Sequence, residues 1–482
     1  MELDKNNKNY EKELKKLNMM IARQDKLFYI SLTILLNMAE DYQIEKKMKN
    51  RKIVTILIRM LERNDFHLLI VTLLFLKKLS IIRENKNQML EDGLVEKLGR
   101  FFTCQNNLLL QLASGLLKNI AFDKNVREQI EKENYIPKII ELLKTPNFRF
   151  TSLVLLYMLS LDDKTRNTFS YTECINLVVK LIIHFPEQSV GKELVSLAIN
   201  LAANQQNADV LSEEELQVVI DRAIKNQDIL LFKFIKNIAI YAEDEEVHNC
   251  LQNNIPKFIK LGLTKSKIED LKYEIIGILS NIKHMGDKWV NYLNNSFIEF
   301  IHNNLSDQAV EDDIIIETIQ LAQTICYSPQ CAETLAKNKL MITIAGLLLS
   351  KIDDEEFVAQ NLFALYQFLQ HKIGIQFIIE QDDIIQFLLN NISDRNPVIQ
   401  KVNDDVLDII REYQPELSER IKQRKYYEFN REWIQSLDGY DSNAIGADGY
   451  EFGNDIKGQN FGFNEHDDHD LDPKMWDSDT EL

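Results

Sequence analysis

The stretch LLKNIAFD, Leu116 to Asp123, decides the fold, because its apolar phrase returns along the whole chain. Leu116, Leu117 and Ile120 fall on one face of a helix. Copies stand at Leu35 (LLNMAED), Phe75 (FLKKLSI), Leu155 (LLYMLSLDD), Leu197 (LAINLAAN) and Phe234 (FIKNIAI), and then at Ile275 (IIGILSNI), Leu321 (LAQTICYS), Leu365 (LYQFLQH) and Val406 (VLDIIREY). With Asn37 as anchor, the equivalent positions are Lys78, Asn119, Met158, Asn200, Asn237, Ile278, Thr324, Phe368 and Asp408, in steps of 37 to 46 residues. A fixed period of this size is the mark of a stacked repeat.

The period fits armadillo or HEAT units. A second helix precedes the phrase, as in YIPKIIELL from Tyr135, where Pro137 sits at a first helical position that has no intrahelical hydrogen bond to lose. NIPKFIKLG, with Pro256, is read as the same device. Ile139, Ile140, Leu142 and Leu143 give that helix one broad apolar face, which only a stacked neighbour can cover. The expectation is an all-α, right-handed α-solenoid of about ten armadillo-like repeats, with an extended groove suited to long partners. This also resolves the length: 482 residues exceed an ordinary single core, and stacking removes the need for one. Only 15 Gly and 8 Pro, with 45% hydrophobic and 27% charged residues, favour helices over a turn-rich β fold.

Three regions are expected: a charged N-terminal helix or cap over 1–26, the solenoid over 27–437, and an acidic tail over 438–482. Tyr10, Leu14, Leu17 and Ile21 are spaced as a short coiled-coil seam or as a capping helix laid on the first repeat. From Asp438 onward thirteen acidic residues stand against two basic ones, and six of the fifteen glycines occur there. Such a tail cannot bury enough surface to offset chain entropy and is expected to be disordered. Its Tyr440, Tyr450, Phe452, Phe461, Phe463 and Trp476 are spaced as short anchors for a partner, or it only solubilises.

The charge of −18 argues against nucleic acid and anionic lipid as main partners. The apolar run Phe66 to Leu76 is shorter than the roughly 20 residues a membrane span needs. The charged start, MELDKNNKNYEKELKKLN, lacks a signal-peptide core, and five cysteines without a CxxC pair fit reduced thiols, so a cytosolic protein is expected.

Motifs for chemistry are missing. Gly191-Lys192 lacks the upstream glycine and the following hydroxyl of a phosphate loop. The segment from Asp441 has Asn443 and Gly446 of a calcium loop, but Ile445 and Phe452 stand where ligands are needed. His466 and His469 among acidic residues read as a solvated charge run, and Cys326 and Cys331 as buried apolar residues near a helix end. No catalytic residue, cofactor or metal is expected.

Candidate partner-binding residues fall in two groups. Asn37, Asn119, Asn200 and Asn237 resemble the groove asparagines that hold peptide backbone in nuclear import adaptors. Those adaptors place a tryptophan one turn earlier, where this chain has Thr33, Gly115, Ser196 and Lys233. The import reading loses most of its support, and the asparagines serve either a partner or the neighbouring backbone. The second group is basic: Lys46, Lys47, Lys49, Arg51 and Lys52, then Lys422, Arg424, Lys425 and Arg431, with Trp433 close by. These runs are either solvated faces or receivers of an acidic segment.

Longer phrases carry a family resemblance. Ile21 to Phe66 (IARQDKLFYISLTILLNMAEDYQIEKKMKNRKIVTILIRMLERNDF) and LLIVTLLFLKKLSIIRENKNQM to Met89 resemble the kinesin-associated protein family. So do FSYTECI from Phe169, LAINLAANQQN from Leu197, DDEEFVAQNLFALYQFLQH from Asp353, VNDDVLDIIREY from Val402, and KYYEFNREWIQSL around Trp433. The resemblance covers about residues 20 to 437. It implies a non-catalytic accessory subunit of heterotrimeric kinesin-II that binds the tails of two motor chains. It further implies links to cargo adaptors or intraflagellar transport particles, and a place in the cytoplasm, on the cytoskeleton and in the cilium or flagellum. Family members have a long region before the first repeats, whereas twenty residues precede Ile21 here, so roles of that region are not carried over.

Overall fold

A computed structural model describes residues 10–265, 268–307, 309–431 and 433–434. The chain divides into two units, 1–422 and 423–482, and all the repeats lie in the first. Among the described residues there is no strand. The expected disordered tail, with its aromatics, its histidines and the calcium-like segment, lies outside them.

All ten apolar phrases close a long helix of one continuous row. The first is Tyr10–Met38, a single helix that runs through residue 26. Phe66–Leu79, Asn107–Ile120, Pro146–Leu159, Lys192–Ala202 and Ile229–Tyr241 follow, then Glu269–Ser280, Asp312–Ile325, Glu355–Leu369 and Pro397–Tyr413, each packed on the one before. The phrase residues are the contact: Leu76, Leu117, Leu156, Leu201, Ile238 and Leu365 are fully or almost fully buried. The architecture is an all-α solenoid.

Apart from the unit of Glu269–Ser280, each unit after Tyr10–Met38 adds at least two further helices before its row helix, so the sequence signal of one preceding helix is incomplete. In the second unit Arg83–Glu91 comes first, then Leu94–Leu98, then the row helix. The first helix is short and polar, which hides it from a search for apolar faces. A left-handed residue turns the chain between first and second helices: Lys52 (φ 52°), Gly93 (φ 73°), Asn134 (φ 55°) and Lys339 (φ 61°). Glycine adopts this freely, and asparagine does so at little cost.

The first helix also ties down the end of the preceding row helix. Asn85 donates to the Leu79 carbonyl, Arg127 to Ala121, Arg166 to Ser160 and Asn207 to Leu201, always six residues back. These bonds satisfy carbonyls that a helix C-terminus leaves open. Arg127 additionally forms a two-pronged ion pair with Asp162 of the next unit, at 2.5 and 3.1 Å. The opposite ends of the row helices are capped by Asp65, Asn106, Asp228, Asp354 and Asn396, whose side chains accept backbone N–H groups of the first turn.

Pro256 departs from its expected position. It lies inside one helix, Glu245–Thr264, and not at a helix start as Pro137 does. At the earlier site Asn134 turns left-handed, and the hydroxyl of buried Tyr135 donates to the Val95 carbonyl at 2.6 Å. Asn254 replaces that tyrosine and donates both to the Cys250 carbonyl at 2.8 Å, one turn back in its own helix, and to Gln217 Oε1 of the preceding unit at 2.7 Å. The break is lost and two helices fuse, even though proline supplies no N–H there.

Candidate interaction surface

The anchor asparagines stand near the end of the first, third, fifth and sixth row helices, and three of them bond to the previous unit. Asn119 donates to Ser80 Oγ at 3.1 Å, Asn200 to Ser160 Oγ at 3.0 Å, and Asn237 to the Ile199 carbonyl at 2.9 Å. Thr324 continues the pattern with the Ser280 carbonyl at 2.5 Å. These side chains are half-buried, so each retains a face toward solvent, while Asn37 at the end of Tyr10–Met38 is exposed.

The first basic cluster lies on Tyr42–Asn50 and the turn after it. Lys46, Lys47 and Arg51 are exposed and pair with no carboxylate among the described residues, and the side chain of Lys49 is outside the description. Lys422 is exposed on Pro415–Phe429. Arg424, Lys425 and Trp433 belong to the second unit, where Arg424 pairs with Glu428 at 3.0 Å and Trp433 is exposed. The anchor asparagines, the first basic cluster and Lys422 thus share the first unit, and Arg424, Lys425 and Trp433 lie in the other.

Sequence reasoning passed over an apolar ridge. The seventh residue of the phrase stands just past the row helix, and at Ile81, Phe122 and Leu161 it is 76%, 62% and 46% exposed. The signal was present: an apolar residue repeats after the last helical turn. Tyr327 holds the same position further on. Large exposed apolar groups at one equivalent position of three successive units make a contact surface. The helix Tyr10–Met38 adds Met20, Leu27 and Ile34, each about half exposed, at a seven-residue interval. That stripe differs from the one through Leu14 and Leu17, which are half-buried.

Little here favours chemistry. Burial pushes the thiols of Cys174 and Cys326 up to about 12 and that of Cys250 up to about 11, far from the thiolate range. Among the described residues no three His, Cys, Asp or Glu side chains gather to hold a metal ion, and no helix is long and apolar enough to cross a membrane.

Helical units stacked in a row, with exposed apolar residues after three of the row helices and half-buried amides on others, define an armadillo-type repeat scaffold. The chain belongs to the kinesin-associated protein (KAP) family, whose model matches residues 2–463. That family is a non-catalytic accessory family. A probable inactive serine/threonine-protein kinase of Dictyostelium discoideum is 23% identical over 332 residues, which are 67% of this chain and 16% of that protein. The chain therefore spans about a sixth of that relative's length. Among solved structures, a crystal structure of an engineered protein matches with a TM-score of 0.59 at 16% identity, covering 80% of this chain and 95% of the other, a likeness of fold.

Proposed function

We propose that this chain is the accessory subunit of a heterotrimeric kinesin-II, which binds the tails of two motor chains and links them to cargo, including intraflagellar transport particles. The observation that carries the reading is family membership over residues 2–463. The ridge supplies a physical mode. Packed helices lie about 8–10 Å apart, and a helix rises about 10.5 Å in seven residues. A tail helix laid across the units would set one apolar residue of each heptad against Ile81, Phe122 and Leu161 in turn. Met20, Leu27 and Ile34 offer the same interval along a helix. Asn37, Lys46, Lys47, Lys49 and Arg51 would contact the motor tails, Asn119, Asn200 and Asn237 would hold neighbouring units together, and Lys422, like Arg424, Lys425 and Trp433, would contact cargo. The work would be done in the cytoplasm, on microtubules and in the cilium or flagellum.

The test is isolation of the tagged full-length protein from its native cells at moderate salt, with mass spectrometry of what remains bound. Two different kinesin heavy chains in near-equal amounts are expected. A triple variant, Ile81→Ser, Phe122→Ser and Leu161→Ser, should lose both while melting at an unchanged temperature. Retention by that variant would move the contact off the ridge. Absence of any kinesin from the wild type would return the chain to a general armadillo scaffold of adhesion, signalling or nuclear import.

A further inference from the structure

Between the turn that follows Glu269–Ser280 and the row helices Asp312–Ile325 and Glu355–Leu369 lies a groove of about 520 Å³. Its walls carry four glutamines, Gln320 and Gln323 on one helix and Gln360 and Gln367 on the next. All four are half-buried, and none of their side-chain amides has a hydrogen-bond partner among the described residues. Trp289 lines the same groove, is 1% exposed, and keeps a buried indole N–H without an acceptor among the described residues. An indole N–H is a donor only, and a buried one without an acceptor costs free energy.

The charge pattern is equally one-sided. Lys283 and His284 line the groove and no carboxylate does, in a chain of net charge −18. Lys283 gives one bond, at 3.2 Å, to the Ala242 carbonyl and has further protons to donate.

We infer that this groove binds an extended peptide segment rich in aspartate or glutamate. A primary amide presents one donor group and one acceptor, the complement of a peptide unit whose own N–H and C=O are free. A helical ligand has spent those groups on itself. The ligand is therefore extended, which separates this site from a ridge suited to helices. The donors that exceed the acceptors, namely the Trp289 indole and the ammonium of Lys283, select carboxylates over ammonium groups. This inference rests on the groove and not on the motor-adaptor reading.

The experiment uses the purified full-length chain alone, so its result is independent of kinesin recovery. Fluorescence anisotropy is read with fluorescein-labelled peptide pools of equal length: one rich in Asp and Glu, one in Lys and Arg, one in Gln and Ser, and an acidic pool with alternate prolines. The acidic pool should bind best, and the prolines, which remove backbone N–H groups, should weaken it about tenfold. Gln320→Ala combined with Gln360→Ala should weaken it about tenfold with an unchanged melting temperature, since both side chains are open to solvent and hold nothing in place. Trp289→Phe should weaken it severalfold. Equal binding by the double variant, no binding of the acidic pool, or preference for the basic pool would each overturn the assignment.

Discussion

The ammonium of Lys236 is paired with the carboxylate of Glu317, 81 residues further along, across the face of the intervening helix Glu269–Ser280. It passes over Gly277, where a methyl group would lie 2.6 Å from its Nζ, and rests 4.0 Å from the centre of the Tyr273 ring. Burial pushes the lysine's pKa down, and the hydrogen bond and charge of Glu317 outweigh that, leaving it above its ordinary value. One side chain thus joins three row helices.

Gly277→Ala should therefore destabilise a helix that alanine would ordinarily favour. Propensity alone gives alanine about 1 kcal/mol over glycine. Displacing the ammonium leaves Glu317 buried without its cation, which costs about 3 kcal/mol, for a net loss of about 2 kcal/mol. In a background of Lys236→Ala and Glu317→Gln the sign should reverse, with alanine more stable by about 1 kcal/mol. Denaturant titration of the four proteins reads this directly. The same sign in both backgrounds would detach Gly277 from the ion pair.

Glu274, on the same helix, sets a pH dependence. It is 5% exposed, and one of its carboxylate oxygens is buried without a donor among the described residues. Burial raises its pKa, against the pull of Lys236. The folded state then holds this proton more tightly than the unfolded chain. The contribution is fully present below the unfolded value of about 4.3 and is lost as pH rises through the folded one. Glu274→Gln removes that loss. Relative to wild type, the variant should gain stability as pH rises above the unfolded value of about 4.3, until the folded carboxyl has ionised. A stability difference that does not change with pH would refute the assignment.

The asparagine row makes a third case. Asn200→Ala and Asn237→Ala each delete a bond to the preceding unit and should cost about 1 kcal/mol. Amide exchange should quicken in both joined units, because stability in a stack is shared between neighbours. Recovery of motor chains should stay unchanged while the protein is folded. Weaker recovery without loss of stability would assign these amides to a partner.

Much of this molecule was legible in one dimension. The repeat of an apolar phrase marks all ten row helices, since each must bury the same face against a neighbour like itself. Leu117, taken from that pattern as a core position, is fully buried. First helices such as Arg83–Glu91 and Lys124–Lys132 escaped notice because their sequences are polar and their contribution is made through single groups such as Asn85 and Arg127. Ile81, Phe122 and Leu161 belong to the phrase, yet nothing in their spacing says that the helix stops two residues earlier and leaves them in solvent.

The sequence alone determined the helices and their stacking period, which depend on local periodicity, and its longer phrases carried the family resemblance. Tertiary structure alone decided the rest. That Asn254 would fuse two helices where Tyr135 parts them depends on partners in the preceding unit, such as Gln217 and Val95. Lys236 and Glu317 meet 81 residues apart, and Gln320 and Gln367 line one groove, only because stacking sets equivalent positions of neighbouring units side by side. A linear pattern carries the period of such contacts, and the packed chain alone selects which side chains find a partner and which are left open.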